Sequence, residues 1–117
     1  MRFLRAMLQW LLTALVLLYL AGCAAVYSLQ RSMLYHPQPA QLAAPSLMLP
    51  VDGATVQIGV QARPGAPAIL YFGGNAEDVS AVLPQLARLF PDHALYLMHY
   101  RGYGQSTGQP TEVALHA

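Results

Sequence analysis

Apolar residues fill the chain from Ala6 to Leu29, where Gln9, Thr13 and Ser28 are the only clearly polar side chains. A helix over that run is about 36 Å long, against roughly 30 Å of bilayer hydrocarbon. Length and apolarity together predict a membrane segment over residues 1–29. The pattern then breaks. Between Gln30 and Pro50 the chain carries Pro37, Pro39, Pro45 and Pro50 with few periodic apolar positions, which predicts an extended connector over 30–50.

Alternation takes over next. From Ala54 to Ala62, Val56, Ile58 and Val60 alternate with Gln57, Gly59 and Gln61, the period of a half-buried strand. Asp52-Gly53 ahead of it is a turn signal, so Leu47 to Val51 and this strand are expected to form a hairpin. Pro64-Gly65-Ala66-Pro67 is a second turn. Ala68 to Phe72 is continuously apolar, as expected of a parallel strand buried on both faces.

After Gly73-Gly74-Asn75, the residues Val79, Val82, Leu83, Leu86, Leu89 and Phe90 recur at helical spacing. Asn75 supplies a candidate N-cap, with Asp78 in the first turn. Pro84 inside the pattern predicts a kink or a break. Another apolar strand, Ala94 to His99, precedes a Gly-rich stretch from Arg101 to Gly108. Strand, helix and strand in this order define a crossover unit, so the fold class is α/β, with a partial domain over 51–117.

Composition narrows the function classes. The formal net charge is +1, there is no lysine, and Arg2, Arg5 and Arg31 flank the apolar run. No basic stripe exists to neutralise phosphates, which argues against a nucleic-acid partner. The expected partner is membrane lipid. Arg2 and Arg5 ahead of the run place the N-terminus in the cytoplasm and the rest on the non-cytoplasmic side, although Arg31 weakens the bias.

Leu20-Ala21-Gly22-Cys23 resembles a bacterial lipoprotein signal, cleaved before a cysteine that is then acylated. Apolarity continuing through Ala24, Ala25 and Val26 instead favours an uncleaved anchor. Both readings attach the protein to a membrane, as an inner-membrane protein or a periplasmic lipoprotein, and Cys23 is the lipidation candidate of the second. As the lone cysteine it forms no internal disulfide, and His36, His93, His99 and His116 show no paired metal spacing. No metal or organic cofactor is implied.

The turn leaving the first strand of such a unit lies at the carboxyl end of the sheet, the usual place for a ligand site. Gly73 and Gly74 permit close backbone approach, and amides at a helix start favour negative charge. These features suit an oxyanion hole, and they equally suit a turn that only leads the chain into its helix.

Resemblance adds to this. Tyr71 to Ser80 (YFGGNAEDVS) and Tyr100 to Glu112 (YRGYGQSTGQPTE) resemble the α/β-hydrolase superfamily, in particular a membrane-anchored subgroup of serine hydrolases. Gln30 to Pro39 resembles the stretch that follows the anchor in that subgroup. The family's turn commonly reads His-Gly-Asn-Ala, so Gly74, Asn75 and Ala76 match while Gly73 replaces the histidine. The resemblance implies that the Asn75 backbone amide is the first oxyanion donor and Gly74 part of the oxyanion turn, with the turn's hydrogen-bond support in question. His99 stands where Asp or Asn is common.

Gly104-Gln105-Ser106-Thr107-Gly108 reads as G-x-S-x-G, the pattern of a nucleophile elbow. An elbow needs a strand running into its first glycine and a helix starting at the serine. Here Tyr100 to Tyr103 intervene and Pro110 follows, so Ser106 is expected in a loop and is a poor nucleophile candidate. Arg101 is expected to pin this loop, and Tyr100 and Tyr103 to line or flank the site.

The expected function is the N-terminal portion of a membrane-anchored esterase, thioesterase or peptidase-like serine hydrolase, carrying the oxyanion turn without the triad and inactive alone. Acyl or peptide-type substrates would belong to a full-length form. The alternative is a non-catalytic membrane-attached binding or scaffold protein, which would need a partial domain stable by itself. The family's strand order leaves the Ala68 to Phe72 strand with an uncovered apolar edge, so instability is expected.

Overall fold

The computed structural model describes residues 1–41 and 43–116, so Leu42 of the connector and Ala117 lie outside the described residues. The chain forms two compact units, 1–34 and 35–117. The first is a single helix, α1 (Arg2–Leu34), with no buried residue and a mean hydropathy of 2.0 across its most apolar window. It is long and apolar enough to cross a membrane, and an N-terminal signal sequence has the same properties. Its polar side chains turn inward on the backbone: the Thr13 hydroxyl donates to the Gln9 carbonyl at 2.9 Å and that of Ser28 to the Ala24 carbonyl at 2.8 Å. Hydroxyls satisfied this way need no water, which suits an apolar surrounding.

The second unit is a four-stranded mixed sheet with one helix packed on it. β1 (Ser46–Val51) and β2 (Ala54–Gln61) pair antiparallel, with Val51 opposite Ala54. Asp52-Gly53 joins them as the alternation predicts, and Gly53 takes a φ of +67°. β3 (Ala68–Phe72) leads into α2 (Val79–Leu89) and then β4 (Ala94–Met98), which returns parallel to β3. The order is β1-β2-β4-β3, so β4 is central and β3 is an edge. A short α3 (Glu112–Leu115) follows, capped by Thr111, whose hydroxyl accepts from the Ala114 amide at 3.1 Å.

The core lies between the sheet and α2. Leu95 and Leu97 of β4 are fully buried against Val79 and Leu83, with Ile69, Tyr71, Val82 and Leu86 packed around them. β3 departs from its expected burial on both faces. Ile69 and Tyr71 face the core, but Leu70 is 67% and Phe72 58% exposed. A continuous apolar run is common to central strands and to strands with an open outer face, and here no element among the described residues covers Leu70 and Phe72.

The start of α2 also differs from expectation. Its N-cap is Asp78, not Asn75: the Asp78 carboxylate accepts from the Ser80 amide at 3.0 Å. Pro84 lies inside the helix without breaking it. Leu89 continues the periodic pattern yet is 62% exposed.

The Pro-rich connector over 30–50 divides differently in space. Its first residues finish α1, its last form β1, and the stretch between is bonded to the domain. The Gln41 amide donates to Asp78 Oδ2 at 2.8 Å, the Val60 amide to the Pro45 carbonyl at 2.8 Å, and the Gly104 amide to the Gln38 carbonyl at 2.8 Å. Prolines hold this backbone extended, so its remaining amides and carbonyls face outward and are free to pair.

Candidate active site

Gly73 begins at the carboxyl end of β3, and the five residues before the Asp78 cap form a separate closed turn. The Glu77 amide donates to the Gly74 carbonyl at 3.2 Å, and the Gly74 amide donates to Glu77 Oε2 at 2.5 Å. This reciprocal pair has the i, i+3 spacing of a capping box. The ring holds Ala76 at a φ of +65°, a left-handed conformation that a residue with a Cβ seldom adopts. Strain of this kind collects where the surrounding structure over-determines a backbone.

Gly73 is required for space: a Cβ there would lie 2.4 Å from Val79 Cγ1 and 3.3 Å from Glu77 Oε2. The position that carries histidine in the family's common motif is thus filled from the other side, by α2's first residue and the Glu77 carboxylate. Glu77 also accepts from the Tyr71 hydroxyl at 2.7 Å, and this bond, with burial and the carboxylate's charge, raises the Tyr71 pKa.

Asn75 is exposed at the crest of the turn. Its carboxamide oxygen accepts from the Tyr103 hydroxyl at 2.8 Å and from the His36 amide at 3.2 Å. The turn, the loop after β4 and the segment after α1 therefore converge on one side chain. Tyr103 is buried, and its ring meets that of Tyr100 edge-on at 6.1 Å between centroids.

Below the turn, Asp78 and His99 form a second polar layer. Burial works to raise the Asp78 pKa, but hydrogen bonds from the Gln41 amide and from the Ser80 hydroxyl and amide, with the nearby His99, hold it below the usual carboxylate range. Burial lowers the His99 pKa, and the Asp78 charge opposes this only in part. Gly104 at φ +57° lies against the imidazole, where a Cβ would come within 2.5 Å of His99 Nδ1 and 2.6 Å of Gln57 Oε1.

Ser106 sits in the loop after β4, with neither a strand running into Gly104 nor a helix starting at the serine. Its hydroxyl is buried and donates to the His99 carbonyl at 2.9 Å while accepting from the Gln57 amide at 2.9 Å. β4 pairs with β2 only along Ile58 to Gln61. Beyond that point the loop takes over: Thr107 bonds Thr55 through both its amide and its hydroxyl, and Gln105 donates to Gln57 Oε1. Ser106 thereby stands in for a missing strand partner. Arg101 lies with its stem beside Gly108 and lines a cavity of about 60 Å³ with Val51, Val56, Met98, Ala114 and Leu115.

The structure thus brings Gly74, Asn75 and Tyr103 together and keeps Ser106 apart, engaged with β2. Sequence reasoning passed over Glu77 as a brace and the 35–41 segment as part of the site. The i, i+3 spacing of Gly74 and Glu77 was the available signal for the first; proline-rich composition concealed the second. Cys23 is exposed on α1, in the other unit. Among the described residues no cluster of three or more His, Cys, Asp or Glu side chains could hold a metal ion.

The arrangement is a mixed four-stranded sheet with a helix packed on it and a glycine turn at a strand's carboxyl end, compatible with the α/β class. The chain is similar to protein bem46 of Schizosaccharomyces pombe, an α/β-hydrolase-like protein, with 42% identity over 52 residues. That match covers 42% of this chain and 17% of the relative's length, so the chain spans a small part of the protein it resembles. No family model and no solved structure matches it.

Proposed function

We propose that this chain is the N-terminal portion of a membrane-attached serine hydrolase of the α/β-hydrolase kind, acting on acyl or peptide-type substrates. The Asn75 amide is its first oxyanion donor, presented by the Gly73–Glu77 turn. The nucleophile, acid and catalytic histidine come from sequence outside these residues, since in this fold they follow in the order Ser, Asp or Glu, His. Alone, the chain lacks the groups that make and break the acyl bond.

One observation carries the reading. The glycine turn links a parallel strand to the helix that follows, closes on itself and exposes Asn75 at its crest. A donor fixed before the reaction starts costs no reorganisation when charge develops, which is what an oxyanion hole requires. The exposed Leu70 and Phe72 on the outer face of β3 and the partial match to protein bem46 also support a domain continued by further strands and helices. Attachment is through α1, either as an uncleaved anchor or through acylated Cys23, with the sheet on the non-cytoplasmic side.

Reading the encoding locus past Ala117 in all three frames tests this. A further G-x-S-x-G preceded by a strand, with a later acid and histidine, is expected; their absence would refute the hydrolase reading. Residues 1–117 alone should not hydrolyse p-nitrophenyl acetate, and hydrolysis abolished by Ser106→Ala would overturn the assignment of Ser106 to the loop.

A further inference from the structure

The turn that presents Asn75 owes its shape to a side chain. Nothing in Gly73-Gly74 selects one conformation, since glycine backbones are free to adopt many. Ala76 at φ +65° is unfavourable and must be held from elsewhere. Two constraints meet there. Val79 Cγ1 fills the space a side chain on residue 73 would need, and the Glu77 carboxylate joins the Gly74 amide to the Tyr71 hydroxyl. One oxygen thus binds the turn and the other binds β3, the strand from which the turn departs. A carboxylate makes both bonds stronger than a neutral acceptor would.

We propose that Glu77 is the positioning residue of the candidate oxyanion hole, locking the Gly73–Glu77 turn to Tyr71 of β3 so that the Asn75 amide is presented in a fixed direction. This rests on the reading of Asn75 as the oxyanion donor. It assigns to Glu77 the support that a chain with glycine at position 73 cannot obtain from a side chain there. Glu77 touches no reacting atom in this account. Its effect passes through the backbone of Gly74 and Asn75.

The test uses the protein as its locus encodes it, in lipid nanodiscs, labelled with 15N-glycine and 13Cζ-tyrosine, and compares Glu77→Gln and Tyr71→Phe with the parent. A shared acceptor makes the two variants differ in sign. Glu77→Gln removes the charge and should move the Gly74 amide proton upfield, while Tyr71→Phe leaves the carboxylate to Gly74 alone and should move it downfield. Gly53 and Gly59 should stay in place in both. The Tyr71 phenol should also titrate at lower pH in Glu77→Gln.

The second measurement is hydrolysis of a p-nitrophenyl ester by the protein as its locus encodes it. Glu77→Gln should lower kcat by about tenfold or more with little change in KM, as expected when an oxyanion donor is misdirected. Gly74 signals that do not respond to either variant would overturn the brace, whatever the activity. A parent protein without hydrolytic activity, but with the opposite Gly74 shifts intact, would refute the hydrolase reading and uphold the brace.

Discussion

The Tyr103 hydroxyl donates to the carboxamide oxygen of Asn75 at 2.8 Å and so ties the loop after β4 to the turn after β3. In this chain the loop thus gives the turn its lateral support. Tyr103→Phe removes that bond alone, because the His36 amide still reaches the same oxygen. A loss of about 0.5–1.5 kcal/mol in urea unfolding is expected. Amide exchange should accelerate in the turn and stay unchanged in β1.

Ser106→Ala should be costlier. The hydroxyl serves a buried amide and a buried carbonyl together, and its loss leaves the Gln57 N–H and the His99 C=O unpaired. A destabilisation of roughly 1–3 kcal/mol is predicted by chemical denaturation. The same variant of the encoded protein should keep its kcat per folded molecule, as measured by active-site titration.

Gly104→Ala combines a left-handed φ with a close contact against the buried His99 ring and against Gln57 Oε1, which already accepts from the Gln105 amide. We expect a loss of roughly 1–3 kcal/mol or more. Gly53→Ala, at a similar φ but in open space, should cost only about 1 kcal/mol, so the difference in unfolding midpoint reports the contact.

Acid should weaken the domain in two stages. The folded pKa of His99 lies below its unfolded value, so the unfolded chain binds more protons and stability falls as pH drops below about 6.5. Asp78 is also depressed: its contribution is present above the unfolded value of about 3.9 and is lost as pH falls through the folded one. In His99→Asn the first stage should disappear from the pH dependence of the urea midpoint while the second remains.

The hairpin and the strand-helix-strand unit were legible because alternation and helical spacing follow directly from which faces are buried. The exposed side of β3 was not. Leu70 and Phe72 have the character of core residues, and only the absence of a covering element distinguishes them from buried ones. Asn75 was misread as the helix cap because Asn and Asp share the capping chemistry, and the left-handed Ala76 that separates the turn from the helix has no signature in an alanine. Proline content at 37 and 39 said nothing of what that backbone binds. The isolation of Ser106 from any elbow was readable, since four residues, Tyr100 to Tyr103, separate the strand from the first glycine of its motif and Pro110 follows.

Fluorophosphonate labelling of the encoded protein in its native membranes, with the adduct mapped by mass spectrometry, tests the central claim most directly. The account predicts a single modified serine in sequence following Ala117 and none at Ser106. An adduct on Ser106, or no adduct anywhere in the protein, would contradict it.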